Sequence, residues 1–235
     1  MAEDLTRRAL LGAAGATVVA GVASEVAAAT EGKEAPKGGP IKIIGLSTSP
    51  RKGKTTTAAL QVCLNAAKAV GPNVEVELIE LAGLNIGVFD PADPAAGAGD
   101  FNKVAAALAD PKVAGILIGT PVYFGSMSSL CKAFLDRCIA IRRDNFALAN
   151  KVAGVVAVGG MRNGGQELTI QTVQAALLAQ EMILVGDGRP TAHCGATLWN
   201  SANDDLGGDE VGLATAKNLG RRVAEVALRV AGAAR

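Results

Sequence analysis

Short apolar runs alternate along the chain with longer stretches in which apolar residues recur at every third or fourth position. The runs IKIIGL (41–46), VEVELIEL (74–81), VAGILIGT (113–120), VAGVVAVGG (152–160) and MILVGDG (182–188) are of strand length, and most are rich in Val and Ile. Between them Leu60, Cys63, Leu64 and Ala67 mark one helical stripe, and Met127, Leu130, Phe134, Cys138 and Ile141 a second. Leu219, Val223, Val226 and Val230 mark a third. Such spacing puts each set on one helix face, to be buried against a sheet. Five strands alternating with helices predict an α/β fold, a doubly wound parallel sheet with helices on both faces. Continuously apolar strands such as GILIG fit a sheet covered on both sides. The stretch VFDPADPAAGAGD (88–100) reads as a mobile loop from its Pro, Gly and Asp content.

The first residues break this pattern. In TRRALLGAAGATVVAGVA, Arg7 and Arg8 precede an apolar run of small residues. That run is shorter and less apolar than the roughly 20 residues a spanning helix needs. It looks like a twin-arginine export signal over 1–29, with Ala27 to Ala29 suiting a cleavage site. An ordinary apolar helix or a retained anchor is the other reading. Export implies a periplasmic location, engagement with export machinery, and a cofactor acquired before the folded protein crosses the membrane. The polar, Gly- and Pro-containing stretch 30–40 reads as a linker, and 41–235 as one domain.

With 23 Lys and Arg against 22 Asp and Glu, no positive surplus exists to follow a phosphate backbone. Five Phe, one Tyr and one Trp leave little for base stacking, so nucleic acid is not an expected partner.

GLSTSPRKGKTTTAAL (45–60) ends in the Gly-Lys-Thr of a nucleotide-hydrolase phosphate loop. That loop requires Gly five positions before Gly53, where this chain has Thr48, whose Cβ obstructs the turn. The strands at 113–120 and 152–160 also end without the Asp that holds Mg²⁺ in such enzymes. The alternative keeps the phosphate and changes the ligand. Ser47, Thr48, Ser49, Thr55, Thr56 and Thr57 crowd a strand-to-helix turn, where N–H groups and the helix dipole bind a phosphate monoester without metal. A plain Ser/Thr helix cap is the simpler explanation of this segment alone.

Two more loops follow strand ends, TPVYFGSMSSLCKAFLDR (120–137) and GGMRNGGQE (159–167). With strand order 2-1-3-4-5, all three loops converge on one crevice at the switch point. Together with STSPRKGKTT (47–56) they resemble the flavin mononucleotide (FMN) reductases of flavodoxin-like fold, nearest the iron-sulfur flavoprotein branch. The likeness runs from about Ile41 to the end.

The resemblance implies an FMN cofactor whose phosphate is held by Ser47, Ser49, Arg51, Lys54, Thr55 and Thr56. Pro121, Val122, Tyr123, Phe124 and Gly125 would line the ribityl chain and ring. Gly159, Met161, Arg162, Asn163, Gly164 and Gly165 would run along the ring's edge, where N–H groups stabilise the reduced flavin. Tyr123 and Phe124 equally suit core packing.

The chain departs from that branch in LAGLNIGVFDPADPAAGAGD (81–100), which holds no cysteine where relatives carry a compact run of them. Cys63, Cys131, Cys138 and Cys194 are spaced unlike any cluster or zinc motif, so no iron-sulfur cluster and no metal are expected. Cys131 and Cys138 would stand roughly 10 Å apart on one helix. His193 and Trp199 lie in PTAHCGATLWN (190–200), past the last expected strand. Trp199 suits covering the flavin, a subunit contact or simple burial.

The resulting expectation is an FMN-dependent oxidoreductase with NAD(P)H as donor and a small acceptor, with no obligatory protein acid or base. The competing expectation is an exported electron-transfer flavoprotein with a protein or quinone donor. A near-neutral chain argues against the acidic docking face of such carriers. Family members form dimers or tetramers, and the resemblance implies the same here.

Overall fold

The structure, a computed structural model, describes residues 39–200 and 203–233. The twin-arginine segment and residues 30–38 of the expected linker lie outside the described residues.

Six parallel strands form one sheet, β1 Ile41–Ser47, β2 Val74–Glu80, β3 Val113–Pro121, β4 Val152–Gly159, β5 Ile183–Leu184 and β6 Ala196–Trp199. The order is β2-β1-β3-β4-β5, with β6 also paired to β4. The helices are α1 Thr55–Lys68, α2 Phe101–Ala109, α3 Ser129–Arg137, α4 Ile139–Arg143, α5 Gln166–Leu178 and α6 Glu210–Ala233.

Side chains on a strand alternate between faces, and the core follows that alternation. Ile44 and Leu46 of β1, with Ala153, Val155 and Ala157 of β4, pack under α2, α3 and α5. Ile41 and Ile43, with Val152, Val156 and Val158, pack under α1 and α6. Every residue of β4 is buried, as its unbroken apolar sequence requires for a strand covered on both faces. The stripe of α1 is buried at Leu60, Cys63, Leu64 and Ala67.

The expected five-stranded sheet is corrected in its last row. The run 182–188 yields only the two residues of β5, which pair with Val152 and Ala153. The chain then leaves the sheet and returns as β6, pairing Ala196 with Val156 and Trp199 with Gly159 on the same free edge of β4. Asp187 and the glycines on either side of it carry the excursion. The second helical stripe is also divided, since Cys138 ends α3 and begins α4. Phe134, Cys138 and Ile141 nevertheless share one buried cluster, so the periodicity survives the junction.

The 88–100 loop has no regular structure, but it does not swing free. Arg137, buried at the end of α3, donates from Nε to Gly87 O at 2.7 Å and from Nη2 to Val88 O at 2.8 Å, and also bonds the carbonyls of Pro94 and Ala96. Gly87 N–H closes the loop on Gly97 O at 2.8 Å. One guanidinium thus satisfies carbonyls that no ladder reaches.

Candidate functional site

Three loops leave the carboxyl ends of β1, β3 and β4, where an open parallel sheet places its ligand crevice. The first runs from Ser47 to Thr57. Thr48 is anchored to β3 through its N–H and hydroxyl, both 2.8 Å from Gly119 O. Ser128 caps α3 and donates its hydroxyl to Thr48 O at 2.8 Å, tying the first loop to the second.

The hydroxyls here divide into two groups. Ser47 faces Thr57 Oγ1 at 3.1 Å, and Ser49 accepts the Arg51 N–H at 3.1 Å, so these two hold the loop's own shape. Thr55 and Thr56 are buried at the start of α1 and make no side-chain hydrogen bond among the described residues. Lys54, the N-cap residue, offers no side-chain cap either. The first N–H groups of α1 are therefore left for another acceptor, beside two uncommitted hydroxyls.

Carboxylates from elsewhere reach this loop. Glu80, the last residue of β2, accepts from Gly53 N–H at 2.8 Å and Thr57 Oγ1 at 2.7 Å. Asp204 lies 2.8 Å from Arg51 and 3.4 Å from Lys54. The hydrogen bond from Arg51 holds the Asp204 carboxyl below the usual carboxylate range.

The second loop is a tight hairpin. Val122 N–H continues the sheet to Val158 O at 2.9 Å, and Tyr123 and Ser126 then exchange backbone hydrogen bonds at 2.9 and 3.0 Å. The two residues between them, Phe124 at φ 52° and Gly125 at φ 73°, are both left-handed, as a primed two-residue turn requires. The Phe124 ring is fully exposed and Tyr123 is 43 % exposed, which corrects the core-packing reading of these aromatics.

The third loop, Gly159 to Gly165, is shaped by buried Gln166. Its Nε2 donates to Leu198 O at 3.1 Å and to Met161 O at 2.6 Å, while Oε1 accepts from Gly164 N–H at 2.9 Å. Gly165, at φ 94°, passes so close to the second loop that a Cβ there would lie 3.0 Å from Gly125 Cα. Met161, Arg162 and Asn163 are exposed on the rim. Arg162 is turned onto the buried carboxylate of Asp209, which also accepts the Trp199 N–H at 2.8 Å.

The expected site residues are thus gathered at one end of the sheet, Pro121 and Gly159 ending β3 and β4 beneath the loops. An uncapped helix start, an aromatic hairpin and a glycine-rich rim can seat a phosphate at one end and a flat ring at the other. That is the crevice of a mononucleotide-binding, doubly wound protein. The model of the family "NADPH-dependent FMN reductase" matches residues 41–197, and the chain belongs to that family.

An iron-sulfur flavoprotein of Methanocaldococcus jannaschii is 43 % identical over 190 residues, covering 79 % of this chain and 97 % of that one. An NAD(P)H dehydrogenase (quinone) of Paracoccus denitrificans is 37 % identical over 126 residues, covering 48 % of this chain and 60 % of that one. Among solved structures, the flavodoxin, WrbA-like protein from Agrobacterium tumefaciens superposes with a TM-score of 0.56 at 19 % identity, covering 80 % of this chain and 98 % of that one. It shares the fold.

The cysteines present do not fit an iron-sulfur cluster. Cys63 is buried with α1 and α6, whereas Cys131, Cys138 and Cys194 belong to the cluster on the opposite face. Burial pushes the Cys63 thiol up to about 12 and the Cys131 thiol to about 11, against the thiolate that iron requires. No group of three or more His, Cys, Asp or Glu suited to a metal exists among the described residues.

Sequence reading missed Glu80, Gln166, Asp204 and Asp209. Glu80 was within reach of it, because a residue ending β2 must adjoin the β1 loop in this strand order. Gln166 follows the glycine run directly. Asp204 and Asp209 come from beyond β6, a strand the periodicity did not reveal.

Proposed function

We propose that the protein is an FMN-dependent NAD(P)H oxidoreductase that passes electrons to a small acceptor in the same crevice. The observation that carries this reading is the uncapped start of α1, with the uncommitted Thr55 and Thr56 hydroxyls, on the same rim as the exposed Phe124 hairpin. In this reading FMN, when bound, takes up two electrons and releases them in a second half-reaction.

The first N–H groups of α1, with Thr55 and Thr56, bind the phosphate, and Arg51 and Lys54 supply positive charge. Ser47 and Ser49 keep the loop in shape. Pro121, Val122, Tyr123, Phe124 and Gly125 wall the ribityl chain and ring. Gly159, Gly164 and Gly165 let the backbone approach the ring's edge, and Met161, Arg162 and Asn163 close it from the rim. The disposition of the cysteines supports flavin as the sole redox centre. Arg7, Arg8 and the apolar run after them support export of the folded protein to the periplasm through a twin-arginine signal. The exposed Tyr123, Phe124 and Met161 at the mouth support a homo-oligomer that covers them.

The test is an absorption spectrum of the purified protein, then anaerobic addition of NADH and NADPH in turn. Flavin bands that bleach with either nucleotide are the expected result. Bands that bleach only with dithionite assign a different donor and favour the carrier. No retained or reconstitutable flavin overturns the reading.

A further inference from the structure

Glu80 ends β2 directly opposite Ser47, the last residue of β1, in the parallel register of the two strands. The Leu81 N–H donates to Ser47 O at 2.9 Å, so strand pairing runs up to the start of the first loop. It thereby delivers a carboxylate to the flank of that loop.

One oxygen of this carboxylate takes two donors from the loop. Oε2 accepts the Gly53 N–H at 2.8 Å and the Thr57 hydroxyl at 2.7 Å. Gly53 stands at φ 66°, and a Cβ there would meet nothing within 4 Å, so the glycine is required for its backbone angle and not for space. The hydrogen bond from its N–H fixes that left-handed turn immediately before Lys54, the N-cap residue of α1.

A carboxylate only accepts, so the single Thr57 proton points to Glu80, and the Ser47 hydroxyl, 3.1 Å from Thr57 Oγ1, donates to Thr57. Thr48 donates to Gly119 O at 2.8 Å and Ser49 to Arg51 O at 3.2 Å. These four hydroxyl protons are therefore turned onto the protein, and those of Thr55 and Thr56 remain for a ligand. The charge of Glu80 by itself opposes an anion at this place. What it contributes is its two bonds to the loop.

We propose that Glu80 is a positioning residue for the cofactor phosphate, acting through Gly53 and Thr57 to set the loop in its binding shape before any ligand arrives. This rests on the FMN reading above and adds a residue to it. A loop ordered in advance loses less freedom on binding. The benefit is confined to the phosphate end, so it favours FMN over riboflavin, which carries the same ring without the phosphate. A carboxylate that only stiffened the β1–β2 edge would change the affinity for both ligands alike.

Two variants separate the acceptor from the charge. Glu80→Met removes both, and Glu80→Gln removes the charge but keeps an oxygen able to accept from Gly53 and Thr57. Apoprotein is titrated with FMN and with riboflavin by fluorescence. In Glu80→Met the ratio of FMN to riboflavin affinity is expected to fall on the order of tenfold, and in Glu80→Gln to stay within about twofold of the unsubstituted protein or to rise. An unchanged or higher ratio in Glu80→Met overturns the proposal, and so does an equal fall in both variants. Independently of any variant, the Gly53 N–H of unsubstituted apoprotein is expected to be protected in hydrogen exchange. Exchange there as fast as in an unfolded peptide overturns the proposal even if a variant fails to fold. Unsubstituted protein that binds neither FMN nor riboflavin strikes the FMN reading itself, and this proposal falls with it.

Discussion

Arg51 Nη1 lies 2.8 and 2.9 Å from the two carboxylate oxygens of Asp204. Asp204 also lies 3.4 Å from Lys54, the N-cap residue, so an internal anion occupies both cations that lead into the uncapped start of α1. Replacing Asp204 with Asn removes a negative charge that would face a phosphate dianion, so FMN should bind to apoprotein about threefold more tightly, an exposed pair being weak. The gain should shrink as salt is added. Hydrogen bonding from Arg51 lowers the Asp204 carboxyl in the folded protein, so the pair is intact above the ordinary carboxylate range and lost as pH falls through the lowered value. The advantage of the variant should therefore persist at neutral pH and vanish in acid. Fluorescence titration with FMN checks this, and weaker binding by Asp204→Asn would instead make Asp204 the group that aims Arg51.

Arg137 supplies a second prediction. Replacing it with Met keeps much of the side-chain volume and removes the donors to Gly87, Val88, Pro94 and Ala96. Carbonyls left without donors in a part-buried setting make the loss roughly 3 kcal/mol or more. Urea unfolding should show it as a lower midpoint. Hydrogen exchange should lose the protection of Gly87 N–H, which bonds Gly97 O only while the loop is closed.

Phe124 separates stability from function. Its ring is fully exposed and its backbone is left-handed, a conformation costly for an aromatic residue and free for glycine. Phe124→Gly should leave the fold as stable or stabilise it by up to about 1 kcal/mol. FMN affinity should nevertheless fall several-fold if the ring walls the cofactor. Thermal unfolding of apoprotein and FMN titration measure the two effects separately, and unchanged affinity would remove Phe124 from the site.

The differing legibility of these elements has a physical basis. Ile43 and Ile44 face opposite sides of the sheet and are both buried, so a strand covered twice is written as an unbroken apolar run. The loops at Gly45–Leu60, Thr120–Arg137 and Gly159–Glu167 were legible because turn and cap chemistry demands particular residues locally. β6 was not, since ATLW is short and follows an excursion whose closure depends on Asp187, a single tertiary contact. Asp204 and Asp209 were hidden for the same reason, their partners Arg51 and Arg162 being remote in sequence. The tie from Arg137 to the 88–100 loop likewise has no local signature.

The cysteines give the last prediction. Cys63, Cys131 and Cys138 are buried, and burial raises all three thiols, Cys63 to about 12 and Cys131 to about 11. A raised thiol is neutral through the physiological range and releases its proton only near the raised value, so these three should stay inert to thiolate-selective reagents at neutral pH. Cys194 is only partly buried. Native protein treated with a chromogenic disulfide reagent should therefore show one fast thiol, abolished by Cys194→Ser, with the others released only in denaturant. If the purified protein instead carried iron and labile sulfide, the thiols would be consumed as ligands and the flavin-only reading would fail. Metal and sulfide analysis of the same sample decides that point directly.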